Sequence, residues 1–198
     1  MSLPAYLFLY DENGMQIPGD CLSLGREGAI EVMNSSYGVR QPVDSNTGSM
    51  TGCRQHNPVI VHKQLDKVSP YLAVAVCEGK RLQKAVVKYY ETIEAGIEVE
   101  TYNITLEDVV ISSVDFTHVY YPGSSSPNMY EVVGLRFRDI EWNYVRGNIK
   151  YNDAWMKPAN KEQQQEINGH HAPSISSINF KLNNIRTWVT FLYLGTHS

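Results

Sequence analysis

The side chains that could do chemistry in this chain are few and scattered. His170-His171 is the most conspicuous pair. Adjacent side chains on a regular element point apart, and no carboxylate or cysteine stands near them at ligand spacing, so no metal or catalytic role is expected for the pair. His56, His62, His118 and His197 are isolated and are expected to be structural or solvent-exposed. Cys21, Cys53 and Cys77 are odd in number, widely spaced and without a zinc-type pairing. Cys77 falls on a helical segment and is expected to be a buried small hydrophobe. Glu98 and Glu100 share one face of a strand, where two carboxylates could act as paired acids; a solvated face is the simpler expectation. The sequence contains no Gly-x-x-x-x-Gly-Lys loop, Gly-x-Ser-x-Gly elbow, His-Glu-x-x-His or Cys-x-x-Cys. It therefore offers no enzyme, no metal site and no cofactor. Asn34-Ser-Ser36 and Asn103-Ile-Thr105 match glycosylation sequons, which carry little meaning without a secretory signal.

Composition narrows the remaining classes. The chain has 198 residues, enough for one domain with an appendage, and 42% of them are hydrophobic. Thirteen tyrosines suit half-buried strands and protein–protein surfaces, because the ring is apolar and its tip is wet. A net charge of −4 argues against a nucleic-acid partner, which would need a basic face. The start, Met1 to Tyr10, lacks the basic region and long apolar core of a signal peptide. The apolar run from Phe180 to Leu194 is broken by Lys181, Asn183, Asn184 and Arg186, so no membrane insertion is expected. The expectation is synthesis in the cytoplasm, with any export by a route that reads the folded protein.

The elements that must position these residues read mainly as strands. Residues 3–10 form a strand covered on both faces, followed by a turn at Asp11-Glu-Asn-Gly14. Residues 29–37 form a second strand. The segment Gly38 to Asn57, rich in Gly, Ser, Thr, Asn and Pro, reads as an extended loop, and loops of this length are often functional. A short strand at Pro58–His62 precedes the one convincing helix. Ser69 is placed as its cap, Pro70 in its first turn, Leu72, Ala75 and Val76 as its apolar stripe and Gly79 as its stop. Residues 81–94 and 97–106 form a hairpin around Glu94-Ala95-Gly96. A separate strand over 108–121 alternates Val110, Val114 and Phe116. In a final strand over 129–145 the apolar phase changes from Val133, Leu135 and Phe137 to Ile140, Trp142 and Tyr144. That predicts a bulge near Arg138–Asp139 and a small barrel or sandwich. After Trp155 the chain turns polar and linker-like over residues 161–166, then carries a second, weaker apolar region.

Several segments in this order carry a family resemblance. They are Ala5-Tyr-Leu-Phe-Leu-Tyr10, Gly28-Ala-Ile-Glu-Val-Met33 with Ser35-Ser-Tyr-Gly38, Leu65-Asp-Lys-Val-Ser-Pro-Tyr-Leu72 with Cys77-Glu-Gly-Lys80, Ile104-Thr-Leu-Glu-Asp-Val-Val-Ile-Ser-Ser-Val114, and Phe137-Arg-Asp-Ile-Glu-Trp142. Over roughly residues 3–155 the chain resembles the Hcp family, the haemolysin-coregulated protein of bacterial type VI secretion systems. The resemblance implies a mainly β fold: a two-sheet β-barrel with one short α-helix packed alongside, assembling as a hexameric ring. Rings would stack into the inner tube of a contractile sheath and be propelled out of the cell. The protein would be cytoplasmic before firing and extracellular afterwards, without a signal peptide. The implied partners are further copies of the chain, the VgrG spike, the sheath and baseplate, and effectors carried in the lumen.

By position, the resemblance makes Ser36 a lumen-facing, effector-contacting residue, and Asn34 should share its face. It makes the long loop an inter-subunit element, with Val39, Arg40, Gln41, Asn46 and Arg54 as its contact candidates. It divides the chain into a barrel domain, residues 1–158, and an extension, residues 159–198. The extension departs from the family pattern and reads as a docking tail or a remnant of a lost fusion; the alternative is a tail that is, or docks, an effector. A carbohydrate- or peptide-binding β-barrel unrelated to secretion is the remaining alternative, supported by Tyr and Trp density alone.

Overall fold

A computed structural model describes residues 3–156, apart from 94, 95, 121 and 124–127. The strands are β1 (Ala5–Tyr10), β2 (Gln16–Ile17), β3 (Ile30–Ser36), β4 (Val39–Arg40), β5 (Gln55–His56) and β6 (Val59–Gln64). After helix α1 (Ser69–Glu78) come β7 (Arg81–Thr92), β8 (Glu98–His118), β9 (Met129–Arg136), β10 (Asp139–Tyr144) and β11 (Ile149–Ala154). Pairing runs β8-β7-β1-β3-β6-β9 and returns from β9 to β8, so six antiparallel strands close a barrel. β10 and β11 continue the sheet outward from β8, and β2 lies beside β1. The expected β-barrel with one helix alongside is therefore present, as one sheet that closes on itself. Closure pairs backbone edges that would otherwise invite uncontrolled strand addition.

The period-2 pattern fills the barrel. Leu7 and Leu9 of β1, Val59 and Val61 of β6, Val87 of β7, Leu106 of β8 and Leu135 of β9 are fully buried. The other face of β1 is covered too, as expected: Tyr6 packs with Tyr90, Cys21 and Ala29 in a second cluster.

The two strands expected at 97–106 and 108–121 are one strand, β8. Two irregularities reset its phase. Asp108 adopts φ 51°, and register skips from Ile111 to Ser113 against β9. The inward residues pass from Ile104 and Leu106 to Val109 and Ile111, which leaves Val110 half-buried and Phe116 exposed. These kinks let β8 serve two partners along one edge, β10 through residues 102–107 and β9 through residues 110–118. The phase change expected near Arg138–Asp139 falls at the same junction. It is a break between two strands, β9 ending at Arg136 and β10 starting at Asp139. Buried Phe137 fills the gap, and Arg138 N–H donates to Glu107 O at 3.0 Å.

The segment from Gly38 to Asn57 is more ordered than a loop. β4 pairs with β5, and Val43 bridges to Met50, giving a projecting antiparallel arm.

Helix α1 ends as expected. Gly79 sits at φ 64°, Lys80 N–H donates to Ala75 O at 2.9 Å, and Gly79 N–H donates to Val76 O at 3.3 Å. Leu72 and Ala75 are fully buried, whereas Cys77 faces solvent, contrary to its expected burial. Ser69 is not the cap; Val68 holds that position and makes no side-chain cap bond. The Ser69 hydroxyl is drawn inward by a buried cation instead. Lys63, fully buried on β6, donates to Ser69 Oγ at 3.1 Å and to Gln64 O at 2.9 Å. It pairs with Glu131 across the β6–β9 ladder and with Asp66 at 2.9 Å. Ser69 Oγ in turn donates to Glu131 Oε1 at 2.8 Å. Each carboxylate is thus matched by a cation or a donor, which is what burial of charge requires.

Removing one member of this network leaves the others buried and unpaired. Lys63→Met should cost about 3–5 kcal/mol of folding stability, read as a shift in chemical denaturation. Adding Glu131→Leu should recover much of the loss, because the stranded carboxylate goes with it.

Candidate assembly surfaces and their anchors

The arm is fixed to the barrel at its base by a polar chain wrapped in aromatic rings. Asp153 of β11 makes a two-pronged ion pair with Arg54, and Arg54 also donates to Ala154 O at 3.1 Å. The other neighbour of Asp153 is His56, whose Nε2 lies 3.1 Å from Asp153 Oδ2. An ionised carboxylate can accept but not donate, so His56 Nε2–H is the donor. In the neutral imidazole this leaves Nδ1 as the acceptor of the Tyr37 hydroxyl, 2.5 Å away. The imidazole side chain is fully enclosed by Tyr37, Phe137, Trp142 and Trp155, with ring centroids 5.7–6.4 Å away. Burial would raise the Asp153 carboxyl, but hydrogen bonds from Arg54, Ala154 N–H and His56 hold it below its ordinary value. Burial, with the Asp153 charge nearby, pushes Tyr37 up to about 12, so it stays a neutral donor.

Beyond this base the arm is prearranged. Asp44 Oδ1 accepts from Asn46 N–H at 2.9 Å, Thr47 N–H at 2.8 Å and the Thr47 hydroxyl at 3.1 Å, closing the tip. Gln41 Nε2 donates across the arm to Gly52 O. Val39, Arg40, Gln41 and Asn46 are exposed, together with the apolar Val43 and Met50. Arg54 is placed differently: it is partly buried and belongs to the anchor. Asn34 and Ser36 are exposed on one face of β3, while Ser35, between them, shares a 2.8 Å hydrogen bond with Tyr89 OH.

The other candidate chemistry resolves into structure. Arg26 carries Glu98 as an ion partner and lies 4.8 Å and 4.4 Å above the rings of Tyr6 and Tyr90. Glu100 accepts from Lys88 at 3.0 Å and from Asn103 Nδ2 at 2.6 Å. Both carboxylates expected on a solvated face are matched to cations. His62 is half-buried against Tyr130, and His118 is exposed. Among the described residues no group of three or more His, Cys, Asp or Glu is placed to hold a metal ion. His170, His171 and His197 lie outside the described residues. The anchor residues Tyr37, His56 and Asp153 form no sequence motif, because they meet across nearly 120 positions.

The anchor has a pH signature with a definite sign. A carboxyl whose pKa is depressed by folding contributes stability above its ordinary value of 3.8 and loses it as pH falls through the lower folded value. Amide exchange at Arg54–His56 should therefore accelerate on acidification below that range. Asp153→Asn should weaken protection of the same amides at neutral pH and flatten its acid dependence, leaving the α1 amides unchanged. Tyr37→Phe should cost about 1–3 kcal/mol, because His56 Nδ1 is left buried without its donor.

Comparison with known proteins agrees on one family. The family described as "Type VI secretion system effector, Hcp" matches residues 6–144. The "Major exported protein" of Pseudomonas aeruginosa is 32% identical over 142 residues, covering 71% of this chain and 83% of that protein. The structure of an Hcp1 protein mutant from the E. coli EAEC 042 pathovar aligns with a TM-score of 0.71 at 39% identity, over 78% of this chain and all of that one. The secreted protein Hcp3 of P. aeruginosa shares the fold, with a TM-score of 0.62 at 23% identity over 79% of this chain and all of that one. The ordered strands, helix α1 and these matches together place the chain in the Hcp family of type VI secretion proteins.

Proposed function

We propose that this chain closes into six-membered rings that stack as the inner tube of a type VI secretion system and leave the cell with it. The observation that carries this reading is the anchored arm, projecting from a closed barrel of a secreted-tube family. A closed barrel cannot associate through its paired strands, so its contacts must come from side-chain surfaces, the arm and the edge of β11, which pairs only with β10 among the described residues. An arm ordered before contact forfeits little conformational entropy on binding, which suits a repeated interface. Val39, Arg40, Gln41, Asn46, Val43 and Met50 are its contact residues in this reading, with Arg54 holding it in place. Asn34 and Ser36 face the lumen. Their short uncharged side chains would hold effectors loosely enough for release. The VgrG spike, sheath and baseplate are the further partners. The protein waits in the cytoplasm and is found outside after firing, acting as a structural brick rather than a catalyst. Residues 1–158 form that brick, and residues 159–198 are an extension with a separate role.

Native mass spectrometry and negative-stain imaging of the purified full chain should show six-membered rings; a strict monomer at high concentration would sink the reading. Asn34→Arg combined with Ser36→Arg should leave ring assembly intact and reduce co-exported effector several-fold. Unchanged effector export would remove both residues from the lumen.

A further inference from the structure

Five methionines fall among the described residues, and all five are exposed, from 41% at Met33 to 88% at Met156. Methionine is more often buried, because its flexible thioether fills irregular gaps in a core. Here the barrel interior is packed with Leu, Ile and Val instead, and Cys21 is the one buried sulfur among the described residues. That distribution decides what an oxidant can do. Oxidation turns the apolar thioether into a polar sulfoxide, which disrupts cores that contain methionine and apolar contacts that use it. With the described methionines all outside, the change spares the packing of the barrel and falls on its surfaces.

Met50 stands where such a change matters most. It bridges antiparallel to Val43, so the two side chains are neighbours on one face of the arm. Met50 is 63% and Val43 57% exposed, an apolar pair beside the polar tip from Asp44 to Ser49. The backbone beneath them is held by Asp44 N–H to Ser49 O at 2.8 Å, Gly48 N–H to Asp44 O at 2.9 Å and Thr51 N–H to Pro42 O at 3.0 Å. The thioether is therefore presented at a fixed place, and exposed apolar groups of this kind mark a contact surface. We propose that Met50 is a reversible oxidation site at which hydrogen peroxide switches off the arm's contact with a neighbouring copy. The sulfur takes one oxygen from the peroxide: the O–O bond breaks, an S–O bond forms, and a proton shifts to the departing hydroxide to give water. Sulfur is oxidised by two electrons and the peroxide is reduced by two. The new oxygen resists leaving water, so the apolar contact made by Val43 and Met50 is lost, and enzymatic reduction of the sulfoxide restores it. The switch rests on the reading of the arm as an inter-subunit contact. A ring repeats that contact at every interface, so one modified position weakens all of them.

The test uses the full chain with Cys53→Ser and Cys77→Ser, since both thiols are exposed to the same oxidant while Cys21 is buried. Dilute protein is treated with hydrogen peroxide, quenched, concentrated and weighed by native mass spectrometry, with peptide mapping to locate the sulfoxides. The ring signal should give way to monomer as Met50 is converted, and methionine sulfoxide reductase should bring it back. The thermal midpoint of the monomer should stay unchanged. Met50→Leu, which keeps an apolar side chain of similar volume, should hold its rings through the same treatment. Met50→Gln, which puts a polar group in that place without oxidant, should assemble poorly. Rings that survive full conversion of Met50, rings lost equally in Met50→Leu, or normal rings from Met50→Gln overturn the switch and leave the ring reading standing. So does a Met50 that stays unmodified while Met156 is fully converted. Untreated protein that forms no rings defeats the ring reading, and the switch with it.

Discussion

The ammonium of Lys63 is the constraint around which the barrel is organised. A cation with no access to water must be met by anions and lone pairs, and four groups supply these: Glu131 across the ladder, Asp66 on the connection, Ser69 at the head of α1 and the neighbouring Gln64 carbonyl. Satisfying it fixes where β6 and β9 pair and where the helix starts. It also explains why the helix forgoes a side-chain cap. A hydroxyl that joins a buried ionic network matters more than one bonding an end amide of an exposed turn, and Asp66 supplies substitute order by accepting from Val68 N–H at 3.0 Å. The short helix, too small to persist alone, is held by this network at one end and by Leu72 and Ala75 along its inner face.

The arm is governed by a second buried polar group under a different rule. His56 is held by geometry as much as by charge: two directional hydrogen bonds and four aromatic walls leave its ring one orientation. Because Asp153 ties both Arg54 and His56, the far end of the barrel chain sets the direction of the arm. The base of the arm and β11 are thus coupled through one carboxylate.

How legible was all this beforehand? Strand alternation, the Pro70 and Gly79 helix signals and the phase change near Arg138 were readable, because each depends on neighbours within a few positions. The errors had a common origin. Ser69 as a cap and Cys77 as a core residue were reasonable local readings, overruled by contacts from β9 and by the direction of the helix's inner face. The division of 97–121 into two strands failed because Asp108 imitates a turn residue while its strand continues. The arm looked like a loop because Gly, Ser, Asn and Thr are turn formers, and its pairing is set by the base at His56. Most of the site was invisible for the same reason: Tyr37, His56 and Asp153 carry no shared spacing. The order of family-like segments was informative where single residues were not.

The long strand β8 has a mechanical meaning. Two different strands hang from one of its edges and β7 from the other, so its backbone is common to every path around the closed sheet. No strand of the closed barrel can peel away while the rest of it stays folded, since loosening β8 opens the barrel and its outer flap at once; the arm, a separate two-stranded sheet, lies outside this constraint. The barrel should therefore resist pulling as a single cooperative body up to a sharp limit. For a component of a secretion tube, this means that each barrel meets a load either whole or completely undone, with no half-open form between.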